Sequence, residues 1–122
     1  MVAIGISPST ERLLHRAVKL AEGLNGDLYA IHVQRPGTHT TLYQANVAWY
    51  LQQARQLGAH VEVVSASDIA ETLVAYARKH TVTHLVLGQS DITRWQEIRH
   101  GSIINRILRY HSGIDLYIVT DP

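Results

Sequence analysis

Five short apolar runs, separated by stretches whose apolar residues recur at helical spacing, constrain this 122-residue chain more than any other feature. The runs Val2 to Ile6, Leu28 to Val33, Val61 to Val64, His84 to Leu87 and Leu116 to Val119 read as strands. Between the first two, Leu13, Leu14, Ala17, Val18, Ala21 and Leu24 mark one face of a helix that Asn25-Gly26 stops. Val47, Leu51, Ala54 and Leu57 mark a second helix, ended by Gly58. Asp68 followed by Glu71 is a capping-box-like start for a third, which carries Ile69, Leu73, Tyr76 and Ala77. A fourth runs from Ile103 to His111.

Strands that alternate with helices predict a single α/β domain over residues 1–122: a five-stranded parallel sheet with right-handed crossovers and helices on both faces, a three-layer sandwich. Ligands of such sheets sit at the carboxyl ends of the strands, where the strand order reverses. With the order 3-2-1-4-5, the loops after the first and fourth strands share that edge, which brings Ser7 and Ser9 near Gly88 and Gly101.

The stretch Leu85 to Ser102 carries the chemistry. The strand-like Leu85-Val86-Leu87 ends at Gly88, a polar, arginine-bearing loop is expected to follow, and Gly101-Ser102 opens the last helix. Strand, glycine-bearing loop and helix N-terminus together can hold a phosphate, because free backbone N–H groups and the helix dipole both favour an anion. The same residues also fit an ordinary strand-end turn at Gly88 and an ordinary N-cap at Ser102. Arg94, Arg99, Arg106 and Arg109, with His100, gather positive charge there against Asp91 and Glu97. They read either as a patch facing an anion or a partner, or as a solvated helix face. Trp95 could cover a base or anchor the loop.

Composition removes several classes. With no cysteine, disulfides, thiolate metal sites and cysteine nucleophiles are all excluded. A net charge of +1 argues against nucleic acid as the main partner. No apolar run approaches the ~20 residues that span a bilayer, so this segment is expected to make no direct membrane contact. The eight histidines are scattered over separate elements, and no zinc-like convergence is expected. No nucleophile elbow, paired-carboxylate signature, kinase phosphoacceptor or ATP lid is present, so the segment by itself reads as non-catalytic.

Gly88, position 91 and Gly101-Ser102 fall on the spacing G-x2-G-x9-G-[S/T]. With Ile6-Ser7-Pro8-Ser9, the strand Leu28 to Val33 and the run Gly101 to Leu108, this makes the chain resemble the universal stress protein family over nearly its whole length. It is most similar to the version found in the cytoplasmic N-terminal region of KdpD-type sensor histidine kinases, which control a high-affinity potassium transporter; the ending Gly113 to Val119 carries that narrower likeness. The resemblance implies a regulatory domain of a larger cytoplasmic-facing kinase. Its partners would be the remaining domains of that kinase, other universal stress proteins or a second copy of itself. A free-standing ATP-binding stress protein and a ligand-free docking domain are the alternatives.

The departures from the family pattern matter as much. Ser7 stands where nucleotide-binding members carry an aspartate, and Asp91 replaces the middle glycine; both argue against tight ATP binding in the ordinary pose. Ser7 and Ser9 resemble the serine-containing first loop of members that bind cyclic di-adenosine monophosphate, but His32 stands where an aromatic residue is expected. The expected ligand is thus none, or a weakly held ATP or cyclic dinucleotide. Its site would be Ser7, Ser9, Gly88, Ser90, Asp91, Arg94, Gly101 and Ser102.

Overall fold

Period-two alternation along the central strands puts successive side chains on opposite faces of one sheet, and each face is covered by helices. In the computed structural model, which describes residues 1–37, 39–98, 102–110 and 113–121 (without the side chains of 96–98), the elements are β1 (Val2–Ala3), α1 (Thr10–Gly23), β2 (Tyr29–Gln34), α2 (Thr41–Gln56), β3 (His60–Ser65), α3 (Ile69–Lys79), β4 (His84–Gly88), α4 (Gln89–Ile98), α5 (Ile103–Tyr110) and β5 (Asp115–Val119). The sheet is parallel throughout, in the order β3-β2-β1-β4-β5.

Val2, Ile4, Ala30 and Val86 pack under α1 and α2 with Leu13, Leu14, Ala17, Val47, Leu51 and Ala54. Ala3, Ile31, Leu85 and Leu87 face the other way, onto Leu73, Ala77, Ile92, Ile103 and Ile107 of α3, α4 and α5. Leu13, Leu14, Ile31, Leu73, Leu85, Leu87 and Ile107 are fully buried. Each such side chain stabilises the fold by roughly 1.5–3 kcal/mol.

Two expectations are corrected. The segment after Gly88 is the helix α4, so the chain has five helices among the described residues rather than four. Ile92 and Trp95, one turn apart, pack on the α3–α5 core, and Thr93 donates its hydroxyl to Gln89 O at 3.1 Å. Aspartate in place of glycine at 91 favours such a helix by roughly 0.3 kcal/mol in propensity, and puts a carboxylate in its first turn, where the dipole favours it. The first strand is also shorter than Val2 to Ile6. Ile4 N–H still bonds Ile31 O at 2.9 Å, but the chain leaves the ladder at Gly5, beside Asp91.

Candidate functional site

Parallel topology collects the carboxyl ends of β1, β2 and β4 on one edge, and the candidate groups there fall into a row of hydroxyls and a cavity. Ser9 stands at the N-cap of α1 but makes no side-chain cap bond. Its hydroxyl meets Ser7 Oγ at 2.6 Å and Ser90 Oγ at 3.4 Å. Ser90 in turn donates to Asp121 Oδ2 at 2.6 Å, and Asp121 N–H donates to Gln89 Oε1 at 2.9 Å. Tyr50 of α2 donates to Ser7 O at 3.1 Å and pins the loop after β1. Thus Ser7, Ser9 and Ser90 lie together, with a carboxylate at the end of their row.

The cavity, of about 150 Å3, opens beside this row between β1, β2, α2, α3 and α4. Asp91 lines it and is only 3% exposed. Burial pushes its carboxyl up to about 6; Arg94 opposes that rise and Asp121 adds to it. A Cβ on Gly5 would collide with Asp91 Oδ1, and one on Gly88 would lie 3.1 Å from Asp91 Oδ2 and 3.3 Å from a Leu13 methyl. Gly88 therefore serves side-chain packing at the β4–α4 junction, where no open phosphate loop exists.

On the facing wall, His32 Nδ1 bonds Ile4 O at 2.8 Å and His32 Nε2 bonds Tyr43 Oη at 2.5 Å. A carbonyl only accepts, so Nδ1 carries the proton and Nε2 accepts from the tyrosine. Burial lowers the His32 pKa and raises that of Tyr43, which keeps this neutral pair intact. His39 stacks on the Tyr43 ring at 4.6 Å, and its Nε2–H donates to Arg35 O at 2.7 Å, since a carbonyl only accepts. Arg35 also lines the cavity, and its Nε and Nη2 are enclosed without a hydrogen-bond partner among the described residues.

The remaining sequence-derived candidates are dispersed. Ser102 caps α5, accepting from Asn105 N–H at 3.2 Å. Arg106 forms an ion pair with Asp68 at 2.6 Å that ties α5 to the start of α3, so its charge serves the fold. Arg109 is exposed, and Arg94 and Trp95 border the cavity. Gly101, Arg99 and His100 lie outside the described residues. Sequence reasoning missed Arg35, His39 and Tyr43. The signal was available, since the loop after the second strand must share the edge with the loops after the first and fourth.

The universal stress protein family pattern matches residues 1–119. The chain belongs to the universal stress protein family. Among relatives of this stress protein domain, the sensor protein KdpD of Mycobacterium tuberculosis (strain CDC 1551 / Oshkosh) is 30% identical over 122 residues, which is all of this chain and 14% of that protein. The sensor protein KdpD of Escherichia coli K12 is 27% identical over 121 residues, 98% of this chain and 13% of that protein. The chain thus spans about a seventh of these relatives. A universal stress protein in complex with cAMP superposes with a TM-score of 0.66 at 20% identity, covering 97% of this chain and 94% of that one. The Archaeoglobus fulgidus stress protein in complex with dAMP gives 0.62 at 20% identity, with 96% and 93% covered. Among the described residues of this stress protein domain, no helix is long and apolar enough to cross a membrane.

Proposed function

We propose that the chain is the cytoplasmic sensory domain of a KdpD-type histidine kinase, and that occupancy of the edge formed by β1, β2 and β4 biases the kinase-to-phosphatase balance of the attached catalytic region in potassium regulation. The observation that carries this reading is the likeness of essentially the whole chain to a segment of KdpD proteins. The expected ligand is nucleotide-like, an adenine mononucleotide or a cyclic dinucleotide held weakly. The stress proteins with bound cAMP and dAMP support the adenine part, while α4 in the phosphate-loop position, with Asp91 in its first turn, argues against a triphosphate. Ser7, Ser9, Ser90, Asp91 and Arg94 would line the site.

The test uses the full-length gene product with its cognate response regulator. Replacing Ser7 and Ser9 together by alanine should shift the ratio of phosphorylation to dephosphorylation of the regulator. An unchanged ratio overturns the sensory role, and a native chain that ends near Pro122 overturns the kinase assignment. The second case would favour a free-standing stress protein, which the near-complete coverage of single-domain stress proteins supports. The row closed by Asp121 favours a third reading, a domain that docks a partner without ligand.

A further inference from the structure

β3 ends the sheet on one side, and among the described residues no strand pairs with its outer edge. The N–H groups of His60 and Ala66 bond Leu28 O and Gln34 O at 2.9 Å. Bonds of a parallel ladder alternate by residue, so Val61, Val63 and Ser65 turn their N–H and C=O groups away from β2. Native edges are commonly blunted by lysine, proline, a bulge or a short strand. β3 carries none of these: it is six residues long, as long as β2, and pairs with it residue for residue.

The face of β3 towards α3 is open as well. α3 packs over β2, and a groove of about 670 Å3 runs between α3 and β3. Its lining is apolar at Val64 and Ala75 and carries carboxylates at Glu62, Asp68 and Glu71 against one ammonium, Lys79. Asp68 is paired with Arg106 at 2.6 Å, whereas Glu62 and Glu71 make no ion pair among the described residues. Alternation along the strand puts Glu62 and Val64 on the groove side and Val61 and Val63 on the other, where Val63 is 42% exposed. An apolar floor rimmed by unpaired carboxylates suits long cationic side chains, whose methylene stems cover apolar surface while the charged head stays at the rim.

We propose that β3 is a docking edge for an extended polypeptide segment with lysine or arginine at every second position, which adds to the sheet as a further strand. Backbone hydrogen bonds to Val61, Val63 and Ser65 supply the affinity, and the cationic stems, laid along the groove towards Glu62 and Glu71, supply the choice of partner. The intervening side chains fall beside Val63, where apolar ones are favoured. A second copy of the chain is the poorer occupant, because it would bring its own Glu62 to the same edge. Among the described residues the groove shares no lining residue with the cavity beside Asp91, so docking here is independent of the ligand reading.

The probe is a short peptide alternating valine with lysine, titrated into the isotope-labelled chain while backbone amide resonances are followed. It should move the amides of Val61, Val63 and Ser65 and slow their hydrogen exchange. Two control peptides, one with glutamate for lysine and one with two adjacent prolines at its centre, should leave these amides unmoved. Glu62→Gln combined with Glu71→Gln should weaken the lysine peptide about fivefold or more, and added salt should weaken it in the parent. β3 amides unmoved by the lysine peptide overturn the proposal, as do shifts confined to β5, the other edge. Equal binding of the glutamate peptide removes the charge selection and equal binding of the proline-broken peptide removes strand addition; either overturns it. Val63 exchange that slows with protein concentration alone assigns the edge to a second copy and overturns it too. If the double variant melts below the parent, salt decides the charge selection in the parent chain, and binding that salt leaves unchanged overturns the proposal.

Discussion

Ser90 donates its hydroxyl hydrogen to Asp121 Oδ2 at 2.6 Å, so a carboxylate from beyond β5 closes the serine row at the ligand-bearing edge. An anion approaching Ser9 and Ser90 meets this negative charge first. The same charge also helps to raise the Asp91 pKa, which ties the row electrostatically to the cavity.

Asp121→Asn should therefore strengthen anion binding at this edge. Removing a like charge in partly screened surroundings is expected to add about 1 kcal/mol, roughly fivefold in affinity. Stability should stay within about 0.5 kcal/mol, since the bond is exposed. Calorimetry with AMP on parent and variant checks this; equal affinities would show that Asp121 does not guard the row.

Asp91 predicts a pH dependence of stability. Its folded pKa of about 6 stands above the ordinary 3.8, so the folded chain binds more protons than the unfolded one between these values. The contribution favours folding in acid, declines as pH rises through that window, and is a full penalty on the order of 3 kcal/mol above about pH 6. His32 acts in the opposite sense, because a lowered histidine pKa costs stability as pH falls. Its effect cancels in a comparison of variants. Asp91→Asn should match the parent near pH 3.8 and exceed it progressively towards pH 7. Denaturant unfolding across that range gives the difference curve, and a flat difference would show that Asp91 is solvated in the native state.

Among the described residues, Asp68 holds two side-chain roles that substitutions can separate. It caps α3 by accepting from Glu71 N–H at 3.1 Å and pairs with Arg106 at 2.6 Å. Asp68→Ala should cost about 1–2 kcal/mol, and Asp68→Asn, which keeps the capping oxygen, about 0.5–1 kcal/mol. Unfolding midpoints measure both. Equal losses would mean that the cap contributes nothing.

Element order was legible because an apolar period of two or 3.6 survives in the central strands and in α1, α2, α3 and α5, whereas the strand order 3-2-1-4-5 was a premise that period does not encode and that the sheet matches. Ser7, Ser9 and Ser90 were legible from topology, since parallel strands send the loops after β1 and β4 to one edge. Helix α4 was hidden by its own composition. Gln89 to Ile98 is mostly polar, and only Ile92 and Trp95 on the described face reveal the helical spacing. The glycine spacing around it suggested a loop instead. Arg106 looked like part of an anion-facing patch because sequence shows its charge but not Asp68, 38 residues away, which neutralises it. Arg35 gave no sequence signal, because a lone charge after the second strand does not show that its Nε and Nη2 are enclosed.

The contact between Gly5 and Asp91 supports a final prediction, made with a double-mutant cycle. A Cβ at position 5 would run into Asp91 Oδ1, and because Asp91 is held between β1 and β4 at 3% exposure, it has little room to retreat. Gly5→Ala should therefore destabilise the chain by about 1–3 kcal/mol, the usual cost of overpacking. Asp91→Gly alone combines two opposed effects, loss of a buried charge and roughly 0.3 kcal/mol of lost helix propensity in α4. In the double variant the colliding atoms are gone, so Gly5→Ala should cost far less in the Asp91→Gly background than in the parent. Chemical unfolding of the four chains yields the coupling, expected at about 1 kcal/mol or more for residues in direct contact. Strict additivity would mean that β1 shifts to accept the methyl group. In that case the early departure of the chain from the ladder at Gly5 would have a cause other than the carboxylate of Asp91.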